Sequence, residues 1–166
     1  MKRSAPLRRT ELRSKSLRPR RIKRTVHCAW SDRCKKFPSV KVSEAERYCK
    51  GHATDVADKL VGDYVKARDR RCVIADFNSL RCFGTDLSWC HLIPKGRYYA
   101  TRWEPLNAVA GCRDHHRAFD GNPLAKRRWC LTHIGVQEYE EMEARAEVGG
   151  GPGAAEIIRA YRAEKE

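Results

Sequence analysis

Six of the eight cysteines in this 166-residue chain fall, each trio with one histidine, into two copies of one pattern, and that repetition constrains the fold more than any other feature. The first copy is Cys28, Cys34, Cys49 and His52, spaced Cys-x5-Cys and then Cys-x2-His. The second is Cys72, Cys82, Cys112 and His115, spaced Cys-x9-Cys and then Cys-x2-His. Four soft or borderline donors in two close pairs are what a tetrahedral zinc ion takes. Buried free thiols are the alternative, but the stretch from His27 to His52 has too few apolar residues to enclose them. His27 and Cys90 are open substitutes for a ligand of the first and second quartet, and Asp76 to Ser79 reads as a loop inserted into the wider knuckle. Cys130 has no nearby partner and is expected as a buried helix residue.

Thiols used this way need a reducing compartment. The chain has neither an apolar run long enough to span a bilayer nor an apolar stretch after its basic N-terminus, so the expected location is the cytoplasm, and no membrane partner is expected. Lys and Arg number 35 against 21 acids, a net charge of +14. Residues 1–24 alone carry eleven Lys or Arg against Glu11, which predicts a disordered basic arm that attracts phosphate whatever the base sequence; a plain solubilising tail is the alternative.

The remaining chain divides into a zinc-knuckle segment (25–53), a linking helix (54–71), a core (72–123), C-terminal helices (124–148) and a Gly-rich break with a short terminal helix (149–166). Val56, Leu60, Tyr64 and Ala67 recur at helical spacing, with Thr54 as cap and Asp55 and Asp58 at the positive end. Residues 72–111 are short apolar runs broken by Gly, Pro, Asn and Asp, which fits short strands. The terminal helix is expected to stand alone, frayed or used for docking.

Inside the second quartet run W-C-H-L-I-P-K-G and N-A-V-A-G-C-R-D-H-H. This order resembles the HNH, or ββα-metal, endonucleases, in which a His ends one strand, an Asn precedes the next and a His follows on a helix. The resemblance implies an α+β, zinc-stapled ββα-metal core flanked by helices. His91 would be the general base, Asn107 would orient it or assist the metal, and His116 would bind a catalytic Mg or Mn ion. Asp120, four residues on, would share that ion from the same helix face. Many relatives carry a metal-binding His or Asp just before the catalytic His, and this chain has Cys90 there, which would be a third and softer ligand of the catalytic ion; Asp86 and Asp114 are further acids nearby. D-Y-V-K-A-R-D-R-R-C before the core, with G-N-P-L and T-H-I-G-V-Q-E-Y-E-E-M-E after it, resembles the phage recombination nucleases of the NinG/Rap type.

The expected function is therefore a metal-dependent DNA endonuclease of phage DNA processing or recombination, with DNA, branched or single-stranded, as partner. Lys95, Arg97, Arg102 and Arg113 would bind flanking phosphates, and Tyr98, Tyr99 and Trp103 would stack on bases unless they belong to the core. The rival expectation is a non-catalytic zinc-finger protein for DNA binding or packaging on the same scaffold; an RNA-binding zinc protein is a third.

Overall fold

The computed structural model describes residues 27–164 apart from Asp32, so the basic arm lies outside the described residues. The class is mixed α+β: two small antiparallel hairpins and five helices. The first hairpin pairs β1 (Val40–Lys41) with β2 (Arg47–Tyr48) and leads into the long α1 (Lys50–Asp69). The second pairs β3 (Ser88–His91) with β4 (Ala108–Gly111) and leads into α2 (Arg113–Gly121). Three helices follow, α3 (Pro123–His133), α4 (Val136–Val148) and α5 (Ala154–Ala163).

The two halves repeat one design. In each, a cysteine knuckle precedes a hairpin, and the Cys-x2-His pair opens the helix that follows. Cys49 and Cys112 both occupy the N-cap position in extended backbone, at φ −70, ψ 156 and φ −70, ψ 161. Each donates its backbone N–H to the first thiol of its own quartet, Cys28 or Cys72, at 3.3 Å. One helix end is thus tied to one knuckle in both halves, although the sequence shows no repeat beyond the ligands.

Alternation along β3 sorts its side chains onto two faces. Trp89 belongs with the apolar cluster formed by the first quartet, α1 and α5, which also holds Ala108 and Trp103. Cys90 and Val109 belong to the other cluster, with Ile74, Phe119, Trp129, Tyr139 and Met142 from the knuckle, α2, α3 and α4. The hairpin is the wall between two small cores, and two glycines let neighbours touch it. A Cβ on Gly62 of α1 would stand 3.0 Å from Trp89 Cδ1, and one on Gly111 would stand 2.6 Å from Cys90 Sγ.

The end of α1 fixes β4 through its backbone. Asp69 Oδ2 accepts from the Ala110 N–H at 2.7 Å, Arg68 donates to the carbonyls of Ala108 (2.7 Å) and Pro105 (2.9 Å), and the Val73 N–H reaches the Ala110 carbonyl at 2.8 Å. Arg70 then reverses the chain at φ 58 toward the second knuckle.

Two expectations about helices are corrected. The linking helix begins at Lys50 rather than Thr54, because the Cys-x2-His pair forms its first turn. Thr54 is therefore internal, its hydroxyl donating to the Lys50 carbonyl at 3.0 Å. The terminal helix does not stand alone: α5 lies on α1 with Ile157 and Ile158 buried, Tyr161 edge-on to Tyr64 and Arg162 paired with Glu46. No helix among the described residues is long and apolar enough to cross a membrane.

Candidate functional site

In each quartet, one ligand atom from every residue lies within 4.8 Å of the others, so each can hold a metal ion. Zinc bonds of ~2.3 Å to sulfur, arranged tetrahedrally, put sulfurs about 3.8 Å apart. Cys34 Sγ and Cys49 Sγ stand at 3.8 Å. The histidines turn Nδ1 inward, His52 to Cys28 Sγ at 3.3 Å and His115 to Cys112 Sγ at 3.0 Å. His115 is fully buried and its Nε2 has no hydrogen-bond partner among the described residues. Burial opposes thiolate formation at Cys28, but the Cys49 N–H and His52 outweigh it and bring the thiol down to about 6. At Cys112 burial is likewise outweighed, by the His115 N–H and ring, and the thiol falls to about 7. A zinc ligand must be a thiolate, which these two shifts favour, whereas burial pushes the Cys72 thiol up to about 12 and Cys34 is raised as well, the Lys36 N–H being outweighed by burial and the neighbouring thiols. His27 is exposed and Cys90 lies elsewhere, so neither of these substitutes belongs to a quartet.

His91 ends β3 and is 7 % exposed. Its Nε2 is 3.0 Å from the Arg102 carbonyl, an acceptor, so Nε2 carries the proton and Nδ1 keeps the lone pair. Burial pushes this imidazole down to about 4, and it is neutral near pH 7. Trp89 packs beside it with ring centroids 4.2 Å apart.

The carbonyl that holds His91 belongs to the long loop between β3 and β4, and two side chains shape that loop. Asn107, completely buried, accepts from the Ile93 N–H at 2.7 Å and donates to the carbonyls of Ile93 (3.1 Å) and Thr101 (3.0 Å). Asp58 of α1 accepts both arms of Arg102, at 2.9 and 2.7 Å, the Trp103 indole N–H at 2.8 Å and Lys95 at 3.2 Å. Asn107 therefore holds His91 from behind, through the loop.

His116 and Asp120 face each other on α2, Nε2 to Oδ2 at 3.1 Å. An octahedral ion with bonds of 2.0–2.1 Å has neighbouring ligands about 2.9 Å apart, so the pair fits one edge of such a site. Ser88 completes the arrangement. Its hydroxyl lies 2.7 Å from His116 Nδ1 and donates to the Gly111 carbonyl at 3.4 Å, so Nδ1–H can donate to Ser88 and leave Nε2 free as a ligand. Asp120 also accepts from Lys126 Nζ at 2.7 Å. Burial works against its ionisation, but the bonds from His116 and Lys126 hold the Asp120 carboxyl down at about 2.

These groups converge. A cavity of about 520 Å³ is lined by His91, His116, Asp120, Trp89, Lys95 and Lys126, among others. A second, of about 350 Å³, lies on the other side of the His116–Asp120 pair and is lined by Arg113, Arg117, Asp86 and Ser88. Asp114, on the same helix turn as Arg113, lines neither.

Several expected site residues lie elsewhere. Cys90 is completely buried in the apolar core and lines neither cavity; alternation on β3 turns it to the face opposite Trp89, and burial raises its thiol far above the thiolate range. Arg102 is only 18 % exposed and is spent on Asp58, so it shapes the loop rather than facing solvent. Trp103 is buried and belongs to the core, with Tyr99 edge-on to it. Lys95 keeps 40 % exposure beside the cavity, Arg97 is exposed against Tyr98, and Arg113 is exposed with only a 3.8 Å pairing to Asp86. Ser88 and Lys126 were not singled out in the sequence, and Asp58 only as an acid at the positive end of its helix. Only for Lys126 is there a local signal: it precedes Trp129 by three residues and Cys130 by four, on the apolar face of its helix.

The two halves can be compared position by position. His116 and Asp120 stand four and eight residues after Cys112, and the same steps from Cys49 reach Ala53 and Ala57, both buried in the packing of α1. Counting back along the hairpin registers, His91 corresponds to Ser43. The knuckle–hairpin–helix frame thus forms without His91, His116 or Asp120. No protein-family model, no curated protein and no solved structure matches this chain.

Proposed function

We propose that the chain is a metal-dependent DNA endonuclease of the HNH type, with His91 as general base, His116 and Asp120 as ligands of a divalent ion, and zinc in the two quartets. The observation that carries this reading is the meeting of a neutral, Nε2-anchored His91 with the His116–Asp120 pair in one cavity. The first half of the chain, which has the same frame with Ser43, Ala53 and Ala57 at those places, removes the simplest structural explanation for them.

Phosphodiester hydrolysis needs a deprotonated water and a partner for the negative charge that grows on phosphorus oxygens. His91 Nδ1 takes the water's proton, and the Arg102 carbonyl steadies the imidazolium through Nε2–H. A bound Mg or Mn ion would neutralise phosphate charge. His116, fixed by Ser88, and Asp120 would hold that ion. Lys95, Arg113 and Arg117 line the two cavities, where flanking phosphates of a strand crossing them would pass, and Arg97 is exposed two residues beyond Lys95. A role in phage DNA processing or recombination, on branched or single-stranded DNA, rests on the sequence resemblance alone.

The test is incubation of zinc-loaded protein with supercoiled, linear and branched DNA plus Mg or Mn ions. Cleavage of at least one substrate is expected. Intact, zinc-filled protein that cuts none of them refutes the enzyme and leaves a DNA-binding or packaging protein on this scaffold. The observation that favours this rival is Lys126, whose ammonium already neutralises Asp120.

A further inference from the structure

Lys126 is the least expected charge in the molecule. It lies on α3, outside the second knuckle–hairpin–helix unit, and its side chain is only 8 % exposed. Its ammonium lies 4.8 Å from the Phe119 ring centre and bonds Asp120 Oδ1 at 2.7 Å, which leaves two of its three donors without a partner in the described residues. Among the described residues its single anionic partner is thus the carboxylate that also faces His116. It lines the same cavity as His91.

A buried ammonium must keep an anion beside it. With no ion bound, Lys126 and Asp120 cancel. With a divalent ion on His116 and Asp120, the same groups sum to +2 (ion +2, lysine +1, carboxylate −1), and Lys126 has lost part of its counter-charge. A phosphodiester brings −1, and its five-coordinate transition state carries −2.

Resting on the nuclease reading above, we propose that Lys126 is a phosphate-contacting residue of the catalytic pocket: it holds Asp120 in the free protein and bonds a non-bridging oxygen of the scissile phosphate when a divalent ion takes Asp120. The ammonium competes with the ion for one carboxylate and then cooperates with it on the substrate. Its removal should therefore move ion binding and catalysis in opposite directions, which loss of a merely structural lysine would not do.

The experiment uses the full chain with both quartets zinc-filled. Mn affinity is read by electron paramagnetic resonance, and cleavage by single-turnover kinetics, for the wild type, Lys126→Met and Lys126→Arg. Methionine keeps the apolar stem over Phe119, and Lys126→Gln serves if methionine does not fold. Lys126→Met is expected to bind Mn roughly five- to tenfold more tightly, because one neighbouring cation is gone, yet to cut about a hundredfold more slowly. Lys126→Arg keeps the charge and is expected to bind Mn within about twofold of the wild type. Unchanged Mn affinity and cleavage in folded Lys126→Met or Lys126→Gln overturn the role of Lys126 and leave the nuclease standing. A wild type that neither binds Mn nor cuts overturns both.

Discussion

His91 is a weak base held in the correct tautomer. A free histidine is half protonated at about pH 6.5, whereas burial lowers His91 to about 4. The base should stay in its working form as pH falls through 6, and cleavage measured at saturating Mn should persist to about pH 5; a steep loss centred near 6.5 would place a different group in that role. Stability follows the same sign. Between about 6.5 and about 4 the unfolded chain binds a proton at this site that the folded chain does not, so the contribution of His91 is fully present above 6.5 and is lost as pH falls through that window. Asn107 acts by a different route. Asn107→Ala strands the buried Ile93 N–H and the Ile93 carbonyl, at about 1–3 kcal/mol for each group left unpaired, while the Thr101 carbonyl keeps the Glu104 N–H. The expected result is a clear fall in melting temperature together with slower cleavage, because the Arg102 carbonyl behind His91 moves with the loop. The residues of the site were unequally legible. His91, Asn107 and His116 could be read because their order along the chain is the order of strand, loop and helix. Ser88 could not, because what singles it out is a bond to His116, 28 positions away, and Lys126 offered only a cation on the apolar face of its helix. Arg102 was misread for a similar reason: its partner, Asp58, is 44 positions away.

At the scale of elements, two Cys/His quartets that can hold metal stand beside two small apolar cores. The two halves share one backbone device, a cysteine at a helix N-cap donating to the first thiol of its knuckle. This local device made the quartets legible and also hid the start of α1, since Cys49 caps without a side-chain hydrogen bond and Thr54 resembles a cap. Metal analysis by native mass spectrometry should find two zinc ions per chain, one for each quartet. A strong chelator should melt the hairpins and the first turns of α1 and α2, because binding free energy here is folding free energy; a metal-free protein with an unchanged near-ultraviolet circular dichroism spectrum would contradict that. The hairpin wall gives a second check. Gly111→Ala would drive a methyl into Cys90 and Ile74, and overpacking of this kind costs typically about 1–3 kcal/mol.

Across the whole molecule, the His91–His116–Asp120 constellation belongs to the second half alone. The first half has the frame without the polar constellation, and α1 connects the halves by carrying a zinc ligand at one end, Asp58 midway and Arg68 and Asp69 against β4 at the other. Cysteine spacing predicted two zinc sites, but not that α5 would return to cover α1, since the Gly-rich break before it gives no direction. Charge is the other property of the whole chain. With a net +14, DNA affinity should fall steeply with salt, and removing residues 1–24 should flatten that dependence while leaving His91-dependent cutting in place. The central claim is that His91 and a divalent ion on α2 together cut DNA, and the most direct test is single-turnover cleavage by zinc-loaded wild type and His91→Ala, side by side, across a Mn titration. The expected result is Mn-dependent cutting by the wild type and a loss of roughly a hundredfold or more in the variant, with DNA and Mn binding retained. Equal cutting by the two proteins, or none by either with every zinc site filled, would contradict it.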